Sequence, residues 1–253
     1  MNEQKNILLI GGTEEAVVLN RELSARPDVA LVTSLAGRTA LPAALTGRVV
    51  TGGFGGAAGL ADFIVQSRID LVIDASHPFA GQITRAAFSV CSKRNVPFIR
   101  YQRFAWEKQR GDSWISVRNM EEAAENLGNF ERIFLTIGRQ ELASFEKISG
   151  KSFLARTIEP IAFNPENSHA ELIQARGPFT IEDELRLLTD RRIELLVSKN
   201  SGGTATYAKI EAARQLQIPV LMIERPEISV GATKGRLSDV LAAVDDFTRK
   251  DSR

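Results

Sequence analysis

Three segments of the sequence combine glycines, hydroxyls and cations at spacings that suit an anionic ligand. Gly11-Gly12-Thr13 follows an apolar run, Ser34 and Arg38 come about 20 positions later, and residues 199–204 read Lys-Asn-Ser-Gly-Gly-Thr. Backbone N–H groups at helix starts, hydroxyls and cationic side chains are the usual donors to phosphate and carboxylate. These segments are the first candidates for a ligand site.

The segment around Gly11 and Gly12 has the pattern of a buried strand, a tight turn and a helix. Residues 7–10 are all apolar, and Ala16, Leu19 and Leu23 continue at helical spacing. In the dinucleotide fingerprint G-x-G-x-x-G, Thr13 replaces the second glycine and Ala16 the third. We interpret the turn as a phosphate site, with a plain glycine turn at the end of a strand as the alternative.

Ser34 and Arg38 indicate which dinucleotide this turn would hold. An acidic residue at this place binds the ribose 2′-hydroxyl of NAD, whereas an arginine accommodates the 2′-phosphate of NADP. No Asp or Glu occurs in residues 29–53. The pattern therefore favours NADP, with Arg38 as a solvated loop charge as the alternative.

Two further loops follow predicted strands of the first half. Gly53 and Gly55 belong to Gly-Gly-Phe-Gly-Gly at 52–56, which suits close approach of the backbone to a ligand or a flexible turn. Ser76, His77 and Pro78 come after the strand 69–74, with Pro78 suited to the first turn of the next helix. His77 is expected at the carboxyl edge of the sheet, as a functional group or as a hydrogen-bonded structural residue.

The 199–204 segment is the best-equipped anion candidate in the second half. A strand at 194–198 precedes it, and a helix with Ala205, Ala208, Ala212 and Leu216 on one side is expected to follow. Lys199, Ser201 and the backbone of the turn could then converge on a carboxylate or phosphate. The alternative is a polar turn in which Asn200 and Ser201 cap the helix.

Two successive series of alternating strands and helices are predicted along the chain, and these loops follow their strands. The predicted fold class is α/β, with two Rossmann-like domains, mainly parallel sheets and an inter-domain ligand cleft. The predicted domains are 1–100, 101–228 and a C-terminal helix at 229–253 whose packing partner is open. The basic and aromatic segment 100–112 is expected to be a solvated crossover or part of the cleft. Strands are predicted at 7–10, 29–35, 48–51, 69–74, 96–101, 114–117, 133–137, 153–156, 194–198 and 219–223, with helix caps at Asn119 and Thr180.

Composition excludes several classes of function. The net charge is +1, which gives no general reason to bind nucleic acid. The single cysteine, Cys91, lies on an apolar helical face and reads as a buried structural thiol, and no Cys/His cluster predicts a metal site. No apolar run approaches the roughly 18 residues of a membrane helix, and no leader pattern is present. We expect a cytoplasmic protein with no membrane partner and no metal.

Five loops in order make the sequence similar to the precorrin-6A (cobalt-precorrin-6A) reductases of cobalamin biosynthesis. The resemblance covers essentially the whole chain. Ser76 stands where many relatives are expected to have threonine, which should leave the His-Pro turn intact. The loops are Ile-Gly-Gly-Thr-Glu-Glu-Ala at 10–16, Ser-Leu-Ala-Gly-Arg at 34–38, Gly-Gly-Phe-Gly-Gly at 52–56, Asp-Ala-Ser-His-Pro-Phe-Ala at 74–80 and Lys-Asn-Ser-Gly-Gly at 199–203.

The resemblance implies an NADPH-dependent enzyme that reduces one double bond of the precorrin-6A macrocycle to give precorrin-6B. The expected partner is a corrinoid small molecule. The sequence allows a monomer but does not fix the oligomeric state. A nucleotide-dependent glycosyl or phosphoryl transferase and a non-catalytic NADP(H) sensor remain alternatives. The expected cofactor residues are Gly11, Gly12, Thr13, Ser34, Arg38, Gly53, Gly55, Ser76, His77 and Pro78; the expected substrate residues are Arg139, Arg156, Lys199, Ser201, Gly202, Gly203 and Thr204; Lys199 and His77 are the candidate proton donors, with water as the third.

Overall fold

Two six-stranded sheets organise the protein. The computed structural model describes residues 4–36 and 45–250. The chain divides into two compact units, Met1–Phe104 with Pro226–Arg253, and Ala105–Arg225. Each unit contains one sheet in which every strand pair is parallel. The predicted α/β class with two parallel sheets is therefore confirmed.

In the first sheet, successive strands are added first on one side of the first strand and then on its other side. After β1 the chain adds two strands on one side and then three on the other, so the strand order is β3-β2-β1-β4-β5-β12. In such doubly wound sheets ligands bind at this switch point, beyond the carboxyl ends of the strands. In chain order the unit comprises β1 (Lys5–Ile10), α1 (Glu14–Ser24), β2 (Val29–Leu35), β3 (Arg48–Thr51), α2 (Gly56–Gln66), β4 (Leu71–Asp74), α3 (Gly81–Arg94), β5 (Phe98–Tyr101), β12 (Ala232–Lys234) and α7 (Leu237–Lys250).

Alternate residues of β1 supply both faces of this sheet because successive side chains of a strand point to opposite sides. Ile7 and Leu9 belong to an apolar cluster with α1 and with Val240 and Val244 of α7. Leu8 belongs to a second cluster with residues of α2 and α3. Helix α7, which the sequence left without a packing partner, thus packs on the first sheet.

The second sheet has its switch point between β7 and β10, since its strand order is β6-β11-β10-β7-β8-β9. One face packs Phe134, Leu196 and Met222 against the helices α5 and α6. On the other face the ring of Phe153 contacts Phe145 and Phe163. The unit comprises β6 (Trp114–Val117), α4 (Met120–Glu125), β7 (Arg132–Thr136), a 3₁₀ helix (Arg139–Phe145), β8 (Ser152–Thr157), β9 (His169–Gln174), α5 (Ile181–Asp190), β10 (Leu195–Lys199), α6 (Ala208–Gln215) and β11 (Val220–Ile223).

All predicted strands are present, with ends that differ by at most two residues. The predicted caps are confirmed, because Asn119 accepts from the N–H of Glu122 and Thr180 from that of Asp183. Placing Pro78 in a helical first turn was wrong. The carbonyl of His77 accepts from the N–H of Ala80 at 2.7 Å, and this separate turn precedes α3.

Two strands, β9 and β12, were not predicted. Within the described ranges, no helix is both long enough and apolar enough to span a bilayer.

Candidate functional site

The turn after β1 is fixed to both neighbouring strands. The N–H of Gly11 donates to the carbonyl of Ser34 in β2 at 2.8 Å. The hydroxyl of Thr13 donates to the carbonyl of Ala75, just after β4, at 2.9 Å, and accepts from the N–H of Ala16 at 3.2 Å. Thr13 is therefore the N-cap of α1. Because its hydroxyl already has both partners, Thr13 can offer an additional ligand mainly its backbone N–H.

Gly12 provides the open part of this turn. Its φ is +122°, and a Cβ built on it would meet no described atom within 4 Å. The N–H groups of the first helical turn have no acceptor within the helix and carry the positive end of its dipole. Glu15 places a negative charge in that first turn, beside the positive end of the dipole. Its ion pair with Arg103 offsets this negative charge. The turn can thus present donors to an anion on its open side.

A buried ion pair holds the loop that follows β4. Nη1 of Arg100, in β5, lies 2.6 Å from Oδ2 of Asp74, and the side chains are 1% and 0% exposed. The same guanidinium donates to the hydroxyl of Ser76 at 3.1 Å, and the N–H of Ser76 donates to Asp74 at 2.9 Å. Burial lowers the pKa of Arg100, and the charge of Asp74 opposes this effect. The pair fixes the start of the loop that leads to His77.

His77 is half-buried at the carboxyl edge of the first sheet, and Pro78 is buried beside it. The His77 Nδ1 atom accepts from the N–H of Phe79 at 3.3 Å, and the two rings lie 5.8 Å apart. An accepting Nδ1 requires the proton of a neutral imidazole to be on Nε2. The ring is therefore both a structural hydrogen-bond partner and a group that can donate through its other nitrogen.

The remaining cofactor candidates of the first unit differ in their surroundings. Ser34 is 4% exposed and lies in β2 beside the Gly11 turn. Gly53 and Gly55 lie in the exposed turn before α2, which is tied to the sheet by the hydrogen bond from Gly52 to Leu35 at 3.2 Å. Arg38 lies outside the described residues. The turn after β1, Ser34 and the Ser76–His77 loop thus meet at one edge through hydrogen bonds.

Cys91 is fully buried in α3, as expected for a structural thiol. Burial raises its pKa to about 12, so the thiol remains protonated at physiological pH. Among residues 4–36 and 45–250, no group of three His, Cys, Asp or Glu side chains is arranged to hold a metal ion.

At the switch point of the second sheet, Lys199 and Glu141 connect the loops after β10 and β7. Their side chains form an ion pair at 2.6 Å, and Lys199 is 11% exposed. A Cβ at Gly138 would lie 2.4 Å from a carboxylate oxygen of Glu141, so a side chain at this position would have to displace that carboxylate. The Gly138-Arg139 turn therefore brings a carboxylate to Lys199, while Arg139 is exposed at the start of the 3₁₀ helix.

Trp106 and Arg225 hold the turn after β10 in a non-helical conformation. Asn200 accepts from the Trp106 N–H at 2.8 Å and donates to its carbonyl at 3.1 Å, and Trp106 Nε1 donates to the carbonyl of Gly203 at 2.7 Å. Arg225 donates to the carbonyls of Asn200 and Ser201. The expected helix start directly after Thr204 was wrong, because α6 begins at Ala208, and Asn200 does not cap it.

Arg156 is enclosed rather than open to solvent. Its terminal nitrogens both contact Glu184 of α5, one at 2.9 Å, and its guanidinium lies 4.8 Å and 4.1 Å from the ring centres of Phe134 and Phe179. Lys209 of α6 is close by, 5% exposed, with its ammonium 5.6 Å from the centre of the Trp106 ring. A role of Arg156 in direct substrate contact stays a prediction, and its observed role is to neutralise buried Glu184.

The buried charges that support both sets of loops are not apparent from the sequence alone. Asp74, Arg100, Glu184 and Lys209 are ionic residues of types that are normally exposed, and their pairing depends on elements distant in the chain. The sequence feature that could have indicated them is a charged residue at the end of an apolar strand. Asp74 is the last residue of β4 and Arg100 the last but one of β5, and parallel neighbours bring side chains together at this edge.

Similarity to known proteins extends over most of the chain. A curated "Precorrin-6A reductase" from Rhodococcus erythropolis is 43% identical over 248 residues, 96% of this chain and 99% of that protein. A "Cobalt-precorrin-6A reductase" from Priestia megaterium is 31% identical over 202 residues, 75% of this chain and 78% of that protein. The solved structure "CobK precorrin-6A reductase" superposes with a TM-score of 0.90 at 36% identity, covering 96% of this chain and 97% of that one. Since the sequence model described as "Precorrin-6x reductase CbiJ/CobK" also matches residues 6–247, the chain belongs to that family.

Proposed function

We propose that this protein catalyses the NADPH-dependent reduction of one double bond of precorrin-6A, giving precorrin-6B, in cobalamin biosynthesis. The observation that supports this most directly is the edge at the β1–β4 switch point, where an open glycine turn and a helix N-terminus lie beside the Ser76–His77 loop. Such an edge is where doubly wound sheets bind dinucleotides. Close relatives over nearly the full chain length are named for precorrin-6A reduction.

The first unit offers donors that suit a dinucleotide. The backbone of Gly12 and Thr13, with the start of α1, would hold the pyrophosphate, because the open side of Gly12 leaves room for it. Ser34 and Arg38 are assigned to the 2′-phosphate. Bound NADPH supplies a hydride. The 52–56 turn and the Ser76-His77-Pro78 loop are assigned to the nicotinamide side.

The second unit is the proposed site for the macrocycle. Precorrin-6A carries several peripheral carboxylates, which suit cations and backbone donors. Lys199, Ser201, Gly202, Gly203 and Thr204, with exposed Arg139, are proposed to bind them, and Arg156 would support the site through Glu184. Metal-free precorrin-6A is proposed over the cobalt form because the 43% identical relative is named for it.

Hydride addition leaves the neighbouring carbon in need of a proton. Lys199 and His77 are the proposed donors, with water as the alternative. Lys199 is held by an ion pair with Glu141, and the Nδ1 contact of His77 leaves Nε2 as its donor atom.

Cofactor preference gives a direct test of the dinucleotide assignment. We expect kcat/KM to be higher with NADPH than with NADH, and Arg38→Ala to reduce the NADPH value by about 10- to 100-fold while changing the NADH value little. The reason is that a charge-assisted hydrogen bond to phosphate contributes about 1.5–3 kcal/mol. The measurement is steady-state kinetics with both cofactors.

The matched control is Arg94→Ala, which removes an exposed arginine from the last turn of α3. It should leave both kinetic values unchanged. Equal use of the two cofactors by the unaltered protein would contradict the assignment of Ser34 and Arg38.

A further inference from the structure

Lys209 is a buried cation that forms no ion pair with any carboxylate of the described residues. It is 5% exposed on α6, and its ammonium faces the Trp106 ring. The charged groups that act on it are Glu184 of α5, Arg156 of β8 and Lys199 of β10. Among residues 4–36 and 45–250, no carboxylate approaches its ammonium closely enough for an ion pair. A buried ammonium in this position is costly unless another negative charge compensates it.

The charges around Lys209 do not balance. Glu184 is bound by both terminal nitrogens of Arg156, and Glu141 is bound by Lys199. The charged groups that act on Lys209 are therefore two cations and one carboxylate, and that carboxylate is already bound by Arg156. A carboxylate bound at the 199–204 turn would lie beside Lys199 and would add a negative charge to this group.

Trp106 couples Lys209 to that turn. The indole donates to the carbonyl of Gly203 through Nε1, and its ring face contacts the Lys209 ammonium. The main chain of Trp106 is fixed to Asn200 by two hydrogen bonds. A change in the charge of Lys209 therefore acts on a ring that holds the turn, and a change at the turn acts on Lys209.

We propose that Lys209 is a positioning residue of the substrate site, and that binding of a substrate carboxylate at the 199–204 turn is coupled to uptake of one proton by Lys209. This rests on the proposed function of the second unit. The added negative charge favours the ammonium form, and by linkage the ammonium form favours the bound anion. The proton comes from solvent.

The direction in which pH changes the affinity for the anion follows from the pKa of Lys209. Burial lowers the pKa of Lys209 to about 7, against the opposing effect of Glu184, so the free protein holds this proton only partly at pH 7. Above that value the free protein is neutral at Lys209, and the bound anion must draw a proton from solvent. Affinity for the anion should therefore fall as pH rises above about 7.

The test is calorimetric titration of the full-length protein with precorrin-6A, without NADPH, in two buffers of different ionisation enthalpy. We expect uptake of up to one proton at pH 7.5, and a Kd that rises about tenfold between pH 7 and 8.5. Lys209→Met should bind more weakly at pH 7, without proton uptake and with little pH dependence. Lys209→Arg, which stays charged, should bind without uptake and keep its affinity at pH 8.5.

The matched control is Lys147→Met, which removes an exposed lysine of the same unit and should behave as the unaltered protein does. Proton uptake that persists in both Lys209 variants, or binding without uptake in the unaltered protein, would overturn this inference alone. Failure of precorrin-6A to bind the unaltered protein would overturn the proposed function as well.

Discussion

Asp74→Ala is expected to lower the free energy of unfolding by about 3–5 kcal/mol, the usual cost of leaving a buried charge without its partner. Asp74 is fully enclosed, and Arg100 is 1% exposed. The substitution also removes the carboxylate that accepts from the N–H of Ser76. Urea unfolding at neutral pH measures the change.

Two matched variants separate lost charge pairing from general damage. Asp246→Ala removes the same side chain from an exposed pair with Arg249 on α7, and should change stability by less than about 1 kcal/mol. Asp74→Leu combined with Arg100→Met removes both charges and should regain much of the loss. An Asp74→Ala effect no larger than that of Asp246→Ala would contradict the role given to the ion pair.

Gly12→Ala is expected to weaken NADPH binding by about 10- to 100-fold, or 1.4–2.8 kcal/mol. The added methyl would point into the space assigned to the pyrophosphate, and the φ of +122° disfavours any side chain. The backbone could relieve that strain only by moving the N–H groups of the turn away from the phosphate. Fluorescence titration with NADPH measures the Kd.

Gly150→Ala is the control for backbone strain. Gly150 also has a positive φ, +72°, with open space around an added Cβ, but it lies in the loop before β8 of the second unit. Both variants should lose stability by about 1–2 kcal/mol, while only Gly12→Ala should lose NADPH affinity. Unchanged NADPH affinity in Gly12→Ala would remove the turn from the cofactor site.

The elements that local patterns specify were predictable from the sequence. Apolar runs such as residues 7–10 predict buried strands, and the side chains of Asn119 and Thr180 identify helix starts within four residues of sequence. Strand β12 could not be predicted in this way. It contains only three residues and joins the first sheet beside β5, after the whole second unit has intervened.

The candidate site also combines features that local sequence predicts with features that depend on contacts between distant residues. The glycine turn after β1 and the Lys199 loop are visible in the sequence because small and polar residues interrupt apolar runs. The burial of Arg100 is not visible in the sequence, since it depends on Asp74, which lies 26 positions away on another strand. Likewise, the Trp106 contacts that prevent a helix after Thr204 span 94 and 97 positions. Non-local pairing of polar groups decided what local patterns left open.

The most direct test of the proposed function is single-turnover reaction of the purified protein with precorrin-6A and NADPH deuterated at the transferable position. We predict that NADPH is oxidised in a one-to-one ratio with the macrocycle and that the product carries one deuterium and gains a second hydrogen from solvent. A transferase would leave NADPH unoxidised, and a sensor would bind it without turnover. Unoxidised NADPH in the presence of bound precorrin-6A would contradict the proposed reaction.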